Sequence, residues 1–516
     1  MNHKRPQPEV AVLDFGSQYT QLIARRLREV GVFSEIYPYH RYRELLGRDE
    51  IRGVVLSGGP SSVTEDGAPD IGGELFAEGK PLLGICYGMQ LMCRTLGGKI
   101  EASANREYGP ATIERGARSR LFADTPDRQG VWMSHGDRVG ALPAGFTALA
   151  SSGSIPFAAA GDEGRGFYCV QFHPEVVHTE HGLQILRNFC RDICAIDTAW
   201  SADTFAETAV AEIRERVGDR RVLCGVSGGV DSTVAATLID QAIGDRLHTV
   251  FVDNGLLRLG EASEVERTLN AFLHRPVLRI DARNAFLNGL RGVIEPELKR
   301  RIIGNTFIEV FRSATADLGP FAFLAQGTLY PDRIESVSVN GPSHVIKTHH
   351  NVGGLPEELG FELIEPLGEL FKDEVRRVGR SLGIPDALLM RHPFPGPGLG
   401  VRILGEVTRD GVRLLQQADH IFIQELRASG EYERIWQAGA VLLPIRTVGV
   451  MGDQRTYEAV VALRAVTSRD GMTADWARIP DAVLARVSNR IINEVPGINR
   501  VVYDISSKPP STIEWE

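Results

Sequence analysis

A cysteine, a histidine and a glutamate stand where acyl transfer by a thiol would need them. Cys86 lies in Gly84-Ile-Cys-Tyr-Gly-Met-Gln90, after a strand-like apolar run and before a helical pattern. This is the G-x-nucleophile-x-G spacing of a nucleophile elbow, with a thiol in place of a hydroxyl. The glycines allow a turn tight enough to project the side chain. A helix N-terminus beside the sulfur favours its ionised form, whereas an unperturbed thiol is only about 3% ionised at pH 7. A thiol nucleophile also needs a base, and the base needs an orienting group. His173 and Glu175, in Gln171-Phe-His-Pro-Glu175 after another apolar run, can fill both roles. Taken singly, Cys86 reads equally well as a buried strand-end residue, and a lone histidine such as His173 is more often structural. Their combination, together with Ser57-Gly-Gly-Pro60, is what points to chemistry.

A second constellation suits phosphate. Ser227-Gly-Gly-Val-Asp-Ser232 sits between a strand-like run ending at Val226 and a helical pattern, so several backbone N–H groups should converge at a helix N-terminus. It is not a Walker A loop, because G-x-x-x-x-G-K-[ST] is absent from the chain. Asp231 cannot attract bare phosphate by charge, so its expected task is to hold Mg²⁺ against the phosphate oxygens. Lys372, in Glu369-Leu-Phe-Lys-Asp-Glu-Val375, could neutralise phosphate charge or could be a solvated helix-face lysine.

The elements that must position these groups alternate short apolar runs with helical periods. Val10 to Phe15 reads as a strand, followed by Tyr19, Leu22, Ile23, Leu27 and Val30 on one helix face. Strands are expected at Gly53 to Leu56, Pro81 to Ile85 and Phe167 to Phe172. Leu183, Ile185, Leu186, Phe189 and Ile193 mark a closing helix. A fresh β-α-β start follows: Arg221 to Val226, a helix over Asp231 to Ile243, and a strand at Leu247 to Asp253. The run from Arg391 to Gly400 holds three prolines and three glycines and suits a boundary or an ordered special loop. Beyond it, a helix at Val412 to Leu426 and alternating runs such as Tyr457 to Val466 read as α+β. With 516 residues the chain exceeds the roughly 250 to 300 that one core serves, and the expected domains are 9–199, 200–392 and 393–516.

Composition narrows the class. Hydrophobic content of 43%, charged content of 24% and glycines spread along the chain are those of an ordinary globular protein. The net charge of −9 argues against general nucleic-acid or membrane-surface binding, although a local basic pocket remains possible. Six cysteines are too few for a disulfide framework and form no C-x-x-C pair; Cys190 and Cys194 read as packing residues. The polar stretch Met1 to Pro8 is unlike a signal peptide, and no run approaches the roughly 20 apolar residues that span a bilayer, so the expected location is the cytoplasm.

The first constellation, with Met133-Ser-His-Gly-Asp137, resembles the class I glutamine amidotransferase family over about residues 9–199. That resemblance implies a flavodoxin-like domain in which Cys86, His173 and Glu175 form a catalytic triad. Cys86 attacks the glutamine carboxamide, ammonia leaves, and water releases glutamate. Backbone amides of Gly59 and Tyr87 would form the oxyanion hole. The second constellation is similar to the S-G-G-x-D-S loop of ATP pyrophosphatases, whose domains are adenine nucleotide alpha hydrolase-like α/β folds. It implies ATP binding by Ser227, Gly228, Gly229, Val230, Asp231, Ser232, Thr233 and Lys372, with Mg²⁺ on Asp231 and cleavage between the α and β phosphates. NAD synthetases, asparagine synthetases, argininosuccinate synthetases and tRNA-thiolating enzymes share that loop, which leaves the acceptor open.

Four further segments choose among them. Arg300-Arg-Ile-Ile-Gly304, Lys347-Thr-His-His-Asn-Val-Gly-Gly354, the run at 393–400 and Lys508-Pro-Pro-Ser-Thr-Ile-Glu-Trp-Glu516 resemble the GMP synthase family, and the likeness spans nearly the whole chain. It implies that xanthosine monophosphate (XMP) is adenylylated on its C2 oxygen and that ammonia then displaces AMP to give GMP. By the same resemblance Arg300, Lys508 and Glu514 surround XMP, and a C-terminal α+β dimerisation domain makes a homodimer. Without that likeness, Lys508 and Glu514 are a polar tail. Two other readings stand beside it: another ATP-dependent amidotransferase such as an NAD synthetase, and a nucleotide sensor with decayed catalytic motifs. The presence of Cys86, His173, Glu175 and Asp231 together weighs against decay.

Overall fold

The computed structural model describes residues 7–197, 200–337, 361–451, 454–468 and 473–516. The segment Lys347 to Gly354, singled out above, lies outside them. The chain forms two compact units, the first running through Thr208 and the second taking most of the residues from Ala209 on.

In the first unit, runs that are apolar on both faces become parallel strands: β1 (Val10–Asp14), β2 (Ser34–Pro38), β3 (Gly53–Leu56) and β4 (Leu82–Ile85). The chain then makes two long strands, β5 (Lys99–Arg115) and β6 (Arg128–Ala141), and three short ones, β7 (Thr147–Ser152), β8 (Ala159–Asp162) and β9 (Phe167–Val170). One nine-stranded sheet results, in the order β2-β1-β3-β4-β9-β8-β7-β5-β6. It is parallel from β2 to β9 and antiparallel beyond. β9 ends at Val170, before the expected Phe172, so Gln171 and Phe172 leave the ladder toward His173. The closing helix is α-helical over Gly182–Asn188 and widens into a π-helical turn at Phe189–Ile193. Cys190 and Cys194 are buried there, with Cys194 packed so closely on Gly53 that a side chain at 53 would collide with its sulfur.

The second unit opens with β10 (Val222–Gly225), β11 (Leu247–Asp253), β12 (Leu278–Asp281), β13 (Phe323–Ala325) and β14 (Glu362–Ile364), all parallel, in the order β12-β11-β10-β13-β14. A second sheet comprises β15 (Gln437–Met451), β16 (Gln454–Thr467), β17 (Asp475–Trp476) and β18 (Ile498–Tyr503). β16 is its centre, antiparallel to β15 and β17 and parallel to β18. The helix Arg409–Ala428 is capped by the Thr408 hydroxyl, which accepts from Gly411 N at 3.0 Å, and buries Val412, Leu415, Ala418, Phe422 and Leu426 along one face. One apolar cluster runs from Leu223 and Val250 of the parallel sheet through Leu399 and Phe422 to Leu463 and Ile491. The Pro/Gly run at 391–400 is an ordered loop docked on this core: Leu399 N donates to Leu256 O at 2.7 Å, and His392 stacks on Tyr432 with ring centroids 3.7 Å apart.

Candidate active site

Strand β4 stops at Ile85 and the helix Tyr87–Thr95 starts two residues later, so Cys86 alone makes the turn. Its backbone is left-handed, φ 52° and ψ −104°, a conformation that costs a residue with a side chain about 1–3 kcal/mol. Two bonds hold it there: Cys86 N donates to Val170 O at 2.8 Å, and Gly88 N donates to Ser57 O at 3.0 Å. The flanking glycines are needed for space. A Cβ on Gly84 would lie 2.6 Å from the Gly88 carbonyl oxygen, and one on Gly88 would lie 2.7 Å from Leu56 Cβ. The elbow is thus the product of sequence composition and tight helix-on-sheet packing together.

The thiol meets three other parts of the unit. It donates to the Ser134 carbonyl on β6 at 3.4 Å and accepts from Gln171 Nε2 at 3.7 Å. His173 Nδ1 binds Glu175 Oε1 at 2.7 Å, with the imidazole 3% and the glutamate 0% exposed. Burial alone would depress the imidazole's proton affinity. The Glu175 carboxylate and the Cys86 sulfur outweigh it and hold His173 well above the ordinary histidine range. Around the pair, Thr179 Oγ1 donates to the His173 carbonyl at 2.6 Å, Arg26 Nε donates to the Glu175 carbonyl at 3.0 Å, and the Tyr19 ring meets the imidazole edge-on. A buried base of raised proton affinity, oriented by a carboxylate and set against a thiol, can deprotonate that thiol and then protonate a leaving amine.

Gly59 and Tyr87 flank the same turn. A Cβ on Gly59 would lie 2.9 Å from Phe15 O, so only glycine fits. Their amides donate to no group among the described residues, as an oxyanion hole requires. The sequence reading missed three polar partners. Gln90 Nε2 donates to Asp137 O at 2.9 Å and to Gln171 Oε1 at 3.4 Å, and Ser134 supplies the carbonyl against Sγ. Gln90, Ser134 and Gln171 all lie inside the quoted motifs, but their roles depend on contacts between β6, the elbow helix and the end of β9.

In the second unit the Ser227 to Ser232 loop links β10 to the helix Val230–Ile243, which begins inside it. Gly228 has φ 77°, and the Val265 side chain leaves no room for a Cβ there. Ser227 and Ser232 hydroxyls bond each other at 3.1 Å, and Gly229 N donates to Ser227 Oγ at 3.3 Å, which sets the loop's shape. The amides of Gly228, Val230, Asp231 and Ser232 donate to nothing among the described residues. Uncommitted amides grouped at a helix N-terminus are an arrangement able to receive an anion. Thr233, expected to bind ATP, turns its hydroxyl to Gly229 O at 2.8 Å and is 3% exposed. Lys372 heads a helix and reaches Asp231 Oδ2 at 3.3 Å, which sets its ammonium beside the loop. The other Asp231 oxygen, Oδ1, is buried without a partner among the described residues. That carboxylate beside a phosphate cradle fits a hard cation.

The three residues expected at XMP are divided. Glu514 forms a two-pronged pair with buried Arg402, at 2.9 and 2.7 Å, and accepts from Gln437. A pocket beside this pair is lined by Arg402, Gln437, Gly439, Arg464, Ile513 and Glu514. Arg300 joins the same tail, donating to the Glu516 backbone oxygen at 2.5 Å, while buried Lys299 donates to Glu516 Oε2 at 2.6 Å and to Ile403 O at 2.7 Å. Lys508 lies elsewhere on the tail, its backbone paired with Ala474. Lys299, Arg402 and Gln437 were missed because each is unremarkable until the tail returns to it.

A thiol elbow with its histidine and glutamate in one unit, and a turn of uncommitted amides in the other, suit an ATP-dependent amidotransferase of the glutamine-using class. Residues 11–193 match the class-I glutamine amidotransferase family, and residues 424–515 match the GMP synthase C-terminal domain. The glutamine-hydrolysing GMP synthase of Thermomicrobium roseum is 56% identical over 98% of this chain and 96% of that protein. Those of Phenylobacterium zucineum and Wolinella succinogenes are 57% and 56% identical, each covering 98% of both chains. The chain belongs to the glutamine-hydrolysing GMP synthase family.

Proposed function

We propose that this chain converts XMP to GMP with nitrogen taken from glutamine, as an ATP-dependent ligase with its labour divided between the two units. The observation that carries the reading is the presence, in one chain, of a bonded histidine–glutamate pair under the influence of the Cys86 thiol and a cradle of four amides uncommitted among the described residues. In the first unit Cys86 attacks the glutamine carboxamide, His173 moves the proton from Sγ to the departing ammonia, and Glu175 holds the imidazole in place. Gly59 and Tyr87 amides receive the negative oxygen. Water then releases glutamate from the thioester. In the second unit the Ser227–Thr233 loop and Lys372 hold ATP. The XMP C2 oxygen displaces pyrophosphate from the α-phosphorus, and ammonia displaces AMP from C2. Mg²⁺ would bind Asp231 and supply charge neutralisation of the phosphates.

The pocket beside Glu514 suits part of XMP, because Arg402 and Arg464 bring cationic groups and Gln437 a neutral hydrogen-bonding amide to one wall. Arg300 and Lys508 complete the proposed nucleotide contacts. The functional parts are proposed as residues 9–199, 200–392 and 393–516, the last also making a homodimer. Support for the dimer comes from exposed Val448, Val450 and Tyr457 on the C-terminal sheet, with Val448 directly opposite Tyr457 across β15 and β16. The setting proposed is the cytoplasm, in keeping with six free, buried cysteines. No helix among the described residues is long and apolar enough to cross a membrane. Incubation with glutamine, ATP, Mg²⁺ and XMP should yield GMP, AMP, pyrophosphate and glutamate together; formation of glutamate and ammonia without GMP would overturn the reading.

A further inference from the structure

The segment that follows β13 presses on the phosphate loop. Gly327 sits so close that a Cβ there would lie 3.2 Å from both the Asp231 carbonyl carbon and the Ser232 amide nitrogen. β13 pairs with β10 in parallel, Ala325 beside Cys224, so both chains leave the same carboxyl edge of the sheet side by side. That edge is where open parallel sheets bind ligands. The backbone around it is pinned: Gln326 N donates to Ile364 O at 3.0 Å, Leu329 N to Asp332 Oδ2 at 3.1 Å and Tyr330 N to Leu370 O at 3.0 Å. Thr328 is therefore held in place next to the cradle. It is 5% exposed, and its hydroxyl has no partner among the described residues.

A buried hydroxyl left without a partner destabilises a fold, and a valine of the same shape would avoid that cost. The Thr328 hydroxyl lies two residues from the start of a helix and one residue from a glycine packed against the Asp231 backbone, and Asp231 Oδ1 is a further buried oxygen without a partner among the described residues. We propose that Thr328 is an ATP-binding residue whose hydroxyl donates to a phosphoryl oxygen of the triphosphate lying in the Gly228–Ser232 cradle. Gly327 is the glycine that lets this donor approach. The inference rests on the reading of that cradle as the ATP site.

The test is ammonium-driven GMP synthesis, with ATP and XMP varied in turn, for the wild type, Thr328→Val and Thr328→Ser. Valine should raise the KM for ATP by about 10- to 100-fold, the loss expected of one hydrogen bond to a charged group, while serine should stay within about 3-fold of wild type. The KM for XMP should stay put in both. The thermal midpoint of the ligand-free Thr328→Val protein should rise. An unchanged ATP KM in Thr328→Val, or an equal rise in the KM for ATP and XMP, overturns the inference. Should Thr328→Val fail to fold, Thr328→Ala gives the same reading. Asp231→Asn separates the two levels: if it keeps ammonium-driven synthesis, the cradle is not the ATP site, whereas if it collapses and Thr328→Val binds ATP normally, only the role of Thr328 falls.

Discussion

Around Cys86 the thiol already bonds Ser134 and Gln171 and the base already bonds Glu175, with two amides left over for an oxyanion, whereas around Asp231 four amides, a carboxylate oxygen and a nearby hydroxyl have no partner among the described residues. The contrast follows from the substrates proposed for each. Glutamine is small and its side chain is neutral, so the first site needs orientation above all, and orientation is best built in advance. ATP is a polyanion, so the second site must keep its donors uncommitted until the phosphates arrive. Lys372 meanwhile rests on Asp231. Preorganisation in one unit and reserved donors in the other are the two ways a fold can prepare for a ligand.

The largest effects should separate the two units outright. Cys86→Ala removes the nucleophile, so GMP formation from glutamine should vanish, and ammonium salt at a pH that supplies NH₃ should restore it. Assays with each nitrogen source check this. A folded Cys86→Ala protein that ammonium cannot rescue would show that the sites are not separable. Asp231→Asn should abolish synthesis with both sources, since it removes the charge proposed to hold Mg²⁺ while keeping the size.

A smaller effect tests the nucleotide pocket. Lys508→Ala should raise the KM for XMP by roughly 10- to 150-fold, the equivalent of about 1.5 to 3 kcal/mol for a charge-assisted contact, with the KM for glutamine little changed. An unaltered XMP KM would return Lys508 to the polar tail.

The smallest effects concern pH, and here the two units should respond with opposite sign. His173 has its proton affinity raised in the fold, because the Glu175 carboxylate and Cys86 overcome burial. Its contribution to stability is complete below about pH 6.5 and is lost as pH rises through the folded value. His392 is the reverse: burial against Tyr432 pushes it down to about 4. Its contribution is complete above about pH 6.5 and is lost as pH falls toward 4, at most about 3 kcal/mol. Thermal midpoints should show it. The deficit of His173→Gln relative to wild type should be larger at pH 6 than at pH 9, and His392→Phe should flatten the wild-type decline between pH 7 and pH 5. Matching slopes for His392→Phe and wild type would remove this histidine from the account.

Cys86, His173, Glu175 and the Ser227–Ser232 loop could be read from the chain because their chemistry is packed into short spans, each at the end of an apolar run. Contacts that depend on distant returns could not. Cys86 meets Ser134 and Gln171 across 48 and 85 residues, and Lys299 meets Glu516 across 217. The β5–β6 ribbon was also invisible, since its alternating burial carries no run of apolar residues. Where the expected and observed elements differ, as at the end of β9, the sheet stops because its last residues are needed to carry His173 to the thiol.

The Arg402–Glu514 pair has a consequence for synthesis of the protein itself. Translation delivers the chain from its N-terminus, and domains generally fold as units in that order. Every group of the cysteine–histidine–glutamate site has emerged from the ribosome several hundred residues before Glu514 arrives to close the wall of the pocket beside Arg402. A nascent chain therefore passes through a period in which the ammonia-releasing half can be complete and its consumer cannot. Restraint on glutamine hydrolysis until ATP and XMP are bound would protect the cell's glutamine from half-made molecules as well as from idle finished ones.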